Sequence, residues 1–331
     1  MAAEIGRKTQ VGIGREESAE GTKSTQIVHI PVLNFEINEI KGTVFNEQAY
    51  GRVEDVRSSR IGTHHSEVTI EGIVGDAMFG QLLYGAFGTL ATSVDDPEAG
   101  ANTHTFSVLN TNQNPTYSIV LDDDVRAGAA SHVVLASKLS RLEVRVVAGE
   151  YVTYEATFVG RKPEATTEAP SFVAETDFVS AEATAKFAAT VAGLGGASTV
   201  PLESLTLTIE RNTEPHFAFG SVAPNQIVNK QLSVTGEAVL LFENSTYYDL
   251  FTANTVQALL LSLVSGTDIG ATSTAFQIDL QLDELVFPIW SDPRPLDDKV
   301  MQTVELRGQY NTTTSAMING TLINAEANAV Y

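Results

Sequence analysis

The chain contains no cysteine. That absence excludes disulfides, thiolate metal sites and cysteine nucleophiles together, and leaves the redox compartment unspecified. Basic residues are scarce: 20 Lys and Arg stand against 41 Asp and Glu, for a net charge of −21. Without a basic stripe, tight binding to a phosphate backbone is not expected, because such binding needs cations that release counterions. An acidic surface instead keeps a monomer soluble and makes self-association salt-sensitive. Long apolar runs are missing too. The longest, Val256–Val264 (VQALLLSLV), is about the length of a buried strand and far short of the roughly 18 residues of a membrane helix. The opening MAAEIGRKTQ has no apolar core and does not read as a secretion signal. No catalytic set stands out either. The histidines, His29, His64, His65, His104, His132 and His216, have no Ser and acid beside them in a recognisable setting, and no Gly-x-Ser-x-Gly elbow occurs. The carboxylates are too numerous for one acid–base pair to be singled out. The chain reads as a non-enzyme without cofactor or metal.

What is present is β pattern, stated twice. Period-two alternation recurs at Val32–Asn38, Glu67–Val74, Thr116–Leu121, Ser140–Val147, Tyr151–Val159, Leu205–Arg211, Gln231–Leu241, Ala275–Leu282 and Met301–Arg307. These segments are rich in Thr, Val, Ile and Tyr, which suit a pleated, half-buried surface. EVTIEGIVG (Glu67–Gly75) and QLSVTGEAVL (Gln231–Leu240) each place a Gly soon after a Val-Thr step, at Gly72 and Gly236. Such matched glycines predict a bulge or a close backbone approach. Each copy follows a long polar excursion and an earlier strand. Each precedes a short helix-like stretch, Asp76–Phe87 and Glu243–Thr252, with Asp76 and Asn244 or Ser245 as expected N-caps. Each ends on a strand pair: Leu142–Val147 with Tyr151–Gly160, then Glu284–Trp290 with Met301–Gly308. A duplicated β unit suits a chain that occupies two similar places in a symmetric assembly. The expected division is an arm at 1–28, a first unit at 29–162, a connecting segment at 163–202 and a second unit at 203–331. Turns are expected at Ala148-Gly149-Glu150 and Arg211-Asn212, and the Gly195-Gly196 pair reads as a turn or short linker.

Several local patterns mimic chemistry. Asp122-Asp123-Asp124 offers clustered carboxylates, but its spacing does not match a calcium loop. His64 and His65 are adjacent on a strand, so they point to opposite faces and do not chelate one ion. AGLGGA, from Ala192, lacks the Lys-Ser/Thr and the helix of a phosphate loop. Asn244, Asn311 and Asn319 open glycosylation sequons that read as chance matches. The polar excursions say more. Residues Glu39–His65 separate two strands that look paired, as do Asn212–Lys230, and Ser291–Lys299 forms a third. Hairpins normally need about two to five loop residues. Lys41, Glu47, Arg52, Glu54, Asp55, Arg57 and Arg60 give the first excursion charge of both signs, which suits a complementary contact between subunits.

Four ordered segments carry a family resemblance: Gly6–Thr22 (GRKTQVGIGREESAEGT), Glu67–Thr89, Ser140–Lys162 and Pro201–Pro215 (PLESLTLTIERNTEP). Together they resemble the tail tube proteins, or major tail proteins, of long-tailed (siphovirus-type) bacteriophages. The resemblance implies a mainly β chain of two tandem tail-tube-type sandwich or barrel units, each with a short flanking α-helix. It implies a structural virion protein, found in the tail and assembled in the host cytoplasm. Its partners would be further copies of itself, other tail proteins and passing double-stranded DNA that is not tightly bound, with no membrane involved. Sheets would join around rings, and the long loop and arm would stack the rings into a conduit for the genome. With two units per chain, a trimeric ring of pseudo-sixfold outline is preferred over a hexamer in which the second unit is a decoration. The second unit lacks a short hairpin like Ala148–Glu150. The negative charge is expected on the inner surface. The alternative reading is a virion decoration or carbohydrate- or host-binding β-sandwich, and a scattered carboxylate hydrolase is the least supported.

Overall fold

The computed structural model describes residues 6–96, 100–122, 131–169, 171–270 and 273–326. Its first half runs β1 (Gln10–Arg15), β2 (Val28–Ile30), β3 (Asn34–Asn46), β4 (Ser58–Ile73), α1 (Phe79–Phe87), β5 (Gly88–Asp96), β6 (Ala101–Val108), β7 (Tyr117–Asp122), β8 (Ser131–Val147), β9 (Thr153–Arg161) and β10 (Glu164–Thr166). The rest runs β11 (Ala183–Ala188), β12 (Leu202–Glu210), β13 (Glu214–His216), β14 (Gln226–Val228), β15 (Ser233–Leu241), α2 (Thr246–Thr252), β16 (Gln257–Asp268), β17 (Ala275–Val286), β18 (Trp290–Ser291), β19 (Met301–Gly308) and β20 (Ile318–Asn324). All strands but β13 and β14 join one hydrogen-bonded network, and every ladder in it is antiparallel.

Three layers make up the network. A long sheet has the order β3–β4–β9–β8–β12–β15–β19. A second has the order β2–β1–β7–β8–β10. A third has the order β5–β6–β20–β17–β16–β11. Two long strands belong to two layers each. The start of β8 pairs with β7 and its end with β9. β17 pairs with β16 and β20, then at Leu285 and Val286 with β19. The long sheet therefore repeats itself: β12, β15, β19 and the end of β17 follow the same pattern as β3, β4, β9 and the end of β8. Each β4-like strand is followed by a helix, as the duplicated pattern predicts.

The core lies between the layers. Val68, Ile70, Leu142, Val144, Ala156 and Phe158 face it from the first half of the long sheet, and Leu205, Leu207, Ile209, Val234, Val304 and Leu306 from the second. Helix α1 buries all of its residues except Tyr84. Burying a Leu or Phe side chain is worth about 2 kcal/mol each, which offsets the two helix glycines, Gly80 and Gly85.

Several expectations change. The Glu39–His65 segment is not a loop. Asn34–Asn46 pairs with Ser58–Ile73 throughout, from Asn34 opposite Glu71 to Asn46 opposite Ser58. The result is an arm exposed on both faces beyond Gly42, with its tip at residues 47–57. Pairing needs only backbone groups, so the ladder outlasts the apolar alternation. The Asn212–Lys230 excursion also contains a hairpin, β13 with β14. Within the expected N-terminal arm, residues 10–15 are a buried strand between β2 and β7. The connecting segment holds β10 and β11, paired into the second and third sheets. The hairpin β5–β6 from the first half adds to the sheet of the second half through β20. Glu284–Trp290 is not one strand but the end of β17, a break and β18. The expected turns are present: Gly149 has φ 86° and Asn212 φ 48°. Val191–Gly196 is a short 3-10 turn.

Asp76 does not cap α1. The helix starts at Phe79, and the Met78 N–H donates instead to Glu175 Oε1 at 2.6 Å. Asp76 turns to the connecting segment and accepts the Thr176 N–H at 2.5 Å. The C-terminal carbonyls of Gly85 and Ala86 accept from Asn114 Nδ2, and Asn114 Oδ1 accepts from the buried Arg211 of the second half. One polar chain thus ties the helix to the junction of the halves. At the start of α2, Ser245 occupies the N-cap position and Asn244 Oδ1 accepts the Thr246 N–H.

The bend in β8 explains a buried carboxylate. Ala136 has a left-handed φ of 53° where β8 leaves one sheet for the next. Its N–H donates to Glu16 Oε1 at 2.7 Å, and Glu16 also accepts from Gly21 N–H, Thr116 and Ser118. Replacing Glu16 by Ala strands these donors in a buried site. Glu16→Ala is expected to cost about 3 kcal/mol, read as a lower urea midpoint with an unchanged slope.

Candidate functional site

The long sheet has one apolar face and one polar face, and cross-strand register fixes which residues share the polar one. One row reads Glu71, Glu155, Glu143, Thr208, Thr235 and Arg307 across six strands. A second reads Thr69, Thr157, Arg141, Glu210 and Ser233. A third reads Ile73, Thr153, Arg145, Thr206, Glu237 and Glu305. The face is built of threonine and glutamate. Arg141, Arg145 and Arg307 are its only basic groups in these rows. Arg141 bridges Glu143 and Glu155. Glu237 lies directly opposite Glu305, and Glu71 directly opposite Glu155. Like charges paired across strands destabilise a sheet; Arg141 offsets this at Glu155, whereas Glu237 and Glu305 lie opposite each other at the other end of the face.

The junction between the halves is a full ladder. β8 pairs with β12 from Val147 opposite Ser204 to Arg141 opposite Glu210. The glutamate–threonine rows cross it without a break. At the far end, β3 has β4 as its only ladder partner among the described residues. The strand that matches β12 in order is therefore an open edge, which soluble chains seldom leave unpaired.

The expected contact residues all lie on the arm and all are exposed. Lys41 is on β3 opposite His64, and Arg60 is on β4 opposite Val44. Glu47, Arg52, Glu54, Asp55 and Arg57 form the tip between them. Register separates Lys41 from the tip group, so they are one surface only along the arm's length. The sequence missed the exposed apolar residues beside them, Val44, Phe45, Tyr50, Val53, Val56 and Ile61. Their lack of burial has no local signal. The second half's hairpin braces the arm's base: the His64 N–H donates to the Val222 carbonyl at 2.7 Å, and the His65 ring meets Phe217 edge-on at 5.8 Å. Burial lowers the His65 pKa. His64 turns the other way, to Glu39 at 3.1 Å.

The remaining candidates resolve simply. Asp122 contacts the buried His29 at 2.5 Å, while Asp123 and Asp124 lie outside the described residues. Among those described, no group of three acidic or histidine side chains is placed to hold a metal. Asn311 accepts the N–H groups of Thr313 and Thr314, which makes it a turn former. Gly72 and Gly236 sit in regular ladders, not bulges, and both face the core. A Cβ on Gly72 would lie 2.6 Å from Tyr154 Oη, and one on Gly236 would lie 2.5 Å from the Thr206 carbonyl oxygen.

One titrating group sits beside α1. Burial pushes the Glu175 carboxyl up to about 7 from 4.5, and the charges of Asp76, Asp177 and Glu326 add to it, while the Met78 N–H works against it. A carboxyl raised on folding holds its proton more tightly in the folded chain. Its stabilising contribution is complete below about pH 4.5 and is lost as pH rises through 7. Between pH 5 and pH 8 the loss is on the order of 2 kcal/mol. Glu175→Gln keeps an acceptor for Met78, so its Tm is expected to change less across that range than the parent's.

A family model described as phage tail tube protein matches residues 6–308. No curated protein gives a match. The matched stretch takes in the arm, both helices and the whole long sheet, and the mainly β architecture agrees with it. The chain belongs to the phage tail tube protein family, the structural proteins of bacteriophage tails.

Proposed function

We propose that three copies of this chain close into a ring of pseudo-sixfold outline, and that the rings stack through the arms into a tube. The glutamate–threonine face lines the lumen, where double-stranded DNA passes without being gripped. The observation that carries this reading is the β8–β12 junction. It joins two similar half-sheets edge to edge inside one chain, and β3 presents the same kind of edge to the next chain. Repeating that junction between chains satisfies the open edge and closes the ring. A lumen of glutamate offers DNA no counterion release, so contact is not rewarded. The opposed pairs Glu237–Glu305 and Glu71–Glu155 gain a reason on this account that a decoration or carbohydrate-binding module does not supply. Assembly in the host cytoplasm, followed by joining to other tail proteins, belongs to the same reading.

The test is a chain count in an isolated ring, by mass or by top-view averaging. Three chains are expected. Six chains per ring would show that the internal junction is not the template for the external one. Monomers at every concentration and salt would remove the tube itself.

A further inference from the structure

Among the exposed apolar residues, two groups lie toward opposite ends of the long sheet. One set is the arm tip, where Val53 is 100% exposed and Phe45, Tyr50 and Val56 stand beside it. The other surrounds Trp290, whose ring meets Tyr248 at 4.9 Å and Phe242 at 6.4 Å. The exposed Ile289 precedes Trp290, and Leu296, 100% exposed, lies two residues beyond Arg294, whose guanidinium sits 5.4 Å over the Phe242 ring. Strand register places the two sets. The arm leaves the long sheet at His65, opposite Arg161, four residues beyond the level of Thr69 and Thr157, which continues across the sheet to Arg141–Glu210 and on to Ser233. β15 runs away from that level and ends at Leu241, opposite Met301. Trp290 pairs opposite Val304 near the same end. The two patches are unlike each other and point opposite ways along the strands. The segments that carry them hold charge of both signs: Arg52, Arg57, Glu54 and Asp55 at the tip, and Glu243, Arg294, Asp297 and Asp298 in the chain next to Phe242 and Trp290.

Building on the stacked-ring reading, we propose that the arm tip of one copy docks on the Trp290 patch of a second copy in the adjacent ring. Two different patches that complement each other make a heterologous contact, which propagates as an open filament instead of closing into a dimer. Apolar centres in segments with charge of both signs fit such an interface. The arm belongs to the first half of the chain and the patch to the second. First halves therefore stack on second halves, and each ring is offset from the last by one unit, half the angular repeat of a threefold ring. The second half's own excursion, β13–β14, is folded against the arm's base and leaves one projecting arm per chain.

The absence of native cysteine makes crosslinking decisive. Tubes of the Val53→Cys/Leu296→Cys variant, oxidised and run without reductant, are expected to give a ladder of covalent multimers, with none from either single variant. Both sites are fully exposed, so folding is undisturbed. Disulfides from Val53→Cys alone would show that arm meets arm, and a ladder from Val53→Cys/Phe172→Cys instead would place the socket on the connecting segment, where Phe172 bridges His29 of β2. Either overturns the proposal, as do intact tubes without the ladder. In parallel, Leu296→Asp is expected to keep the monomer's Tm and lower tube yield about tenfold or more. An unchanged yield argues against docking there. If the unmodified chain never stacks, the stacked-ring reading fails and takes this inference with it.

Discussion

Replacing Thr43–Gly62 by an Asn-Gly turn is expected to leave a folded, ring-forming protein that no longer makes tubes. The cut falls between Gly42 and Thr63, which are cross-strand partners, so a two-residue turn closes the shortened hairpin without strain. Everything removed is exposed except the half-buried Asn46, and all of it lies beyond the braced base, where His64 and His65 hold the second half's hairpin. Exposed residues without buried contacts contribute within about 0.5 kcal/mol each to folding, and the excision also shortens a flexible closure. The monomer's Tm should therefore stay within a few degrees. Stacking is different. If the arm supplies the apolar centre of the inter-ring contact, its loss leaves no anchor, and truncating a central anchor commonly costs more than 2 kcal/mol per residue. Sedimentation should show single rings with no larger species at concentrations where the parent forms tubes. Loss of folding would show that the arm belongs to the core; tubes of normal length would show that stacking runs through other surfaces.

The arm also marks where the sequence stopped being legible. Alternation located strands whose one face is buried, such as Val68–Ile70 and Leu205–Ile209, because burial writes a period of two into the residues. It failed where pairing is not accompanied by burial, so the outer half of β3 and β4 read as a loop. It failed again at β1, QVGIGR. Val11 and Ile13 face the core there, but the alternate positions are glycines because Ile27, His29 and Ser24 press on the strand and leave no room for a side chain. Glu175 lies 97 residues from Met78, so no local signal could name it in place of Asp76. The glutamates of the polar face were visible singly as strand residues. Only the register across β8 and β12 turns them into one surface.

Gly236→Val is expected to lower stability by about 3 kcal/mol or more, the upper range for overpacking a core. A side chain at this position points between β12 and β19, where its Cβ meets the Thr206 carbonyl oxygen at 2.5 Å and Leu207 Cδ2 at 2.9 Å. The nearer obstacle is backbone held in the ladder between β12 and β15, so relief requires the strands to part beside the core residues Leu207 and Leu306. Gly72→Val meets a different obstacle, the Tyr154 side chain at 2.6 Å. That ring can tilt, although it is buried against Phe79, so a smaller loss of about 2 kcal/mol is expected. Gly195, with open space where its Cβ would stand, supplies the control: Gly195→Ala should be neutral within about 0.5 kcal/mol. Thermal unfolding of the three variants should rank them in this order, with Gly236→Val lower than the parent by roughly 6 °C. Because Gly236 lies one strand from the β8–β12 junction, the same variant should weaken ring closure at temperatures where the monomer is still folded. A Gly236→Val protein as stable as its parent would mean that the long sheet yields at its centre. The matched glycines would then be incidental to the two halves they appear in.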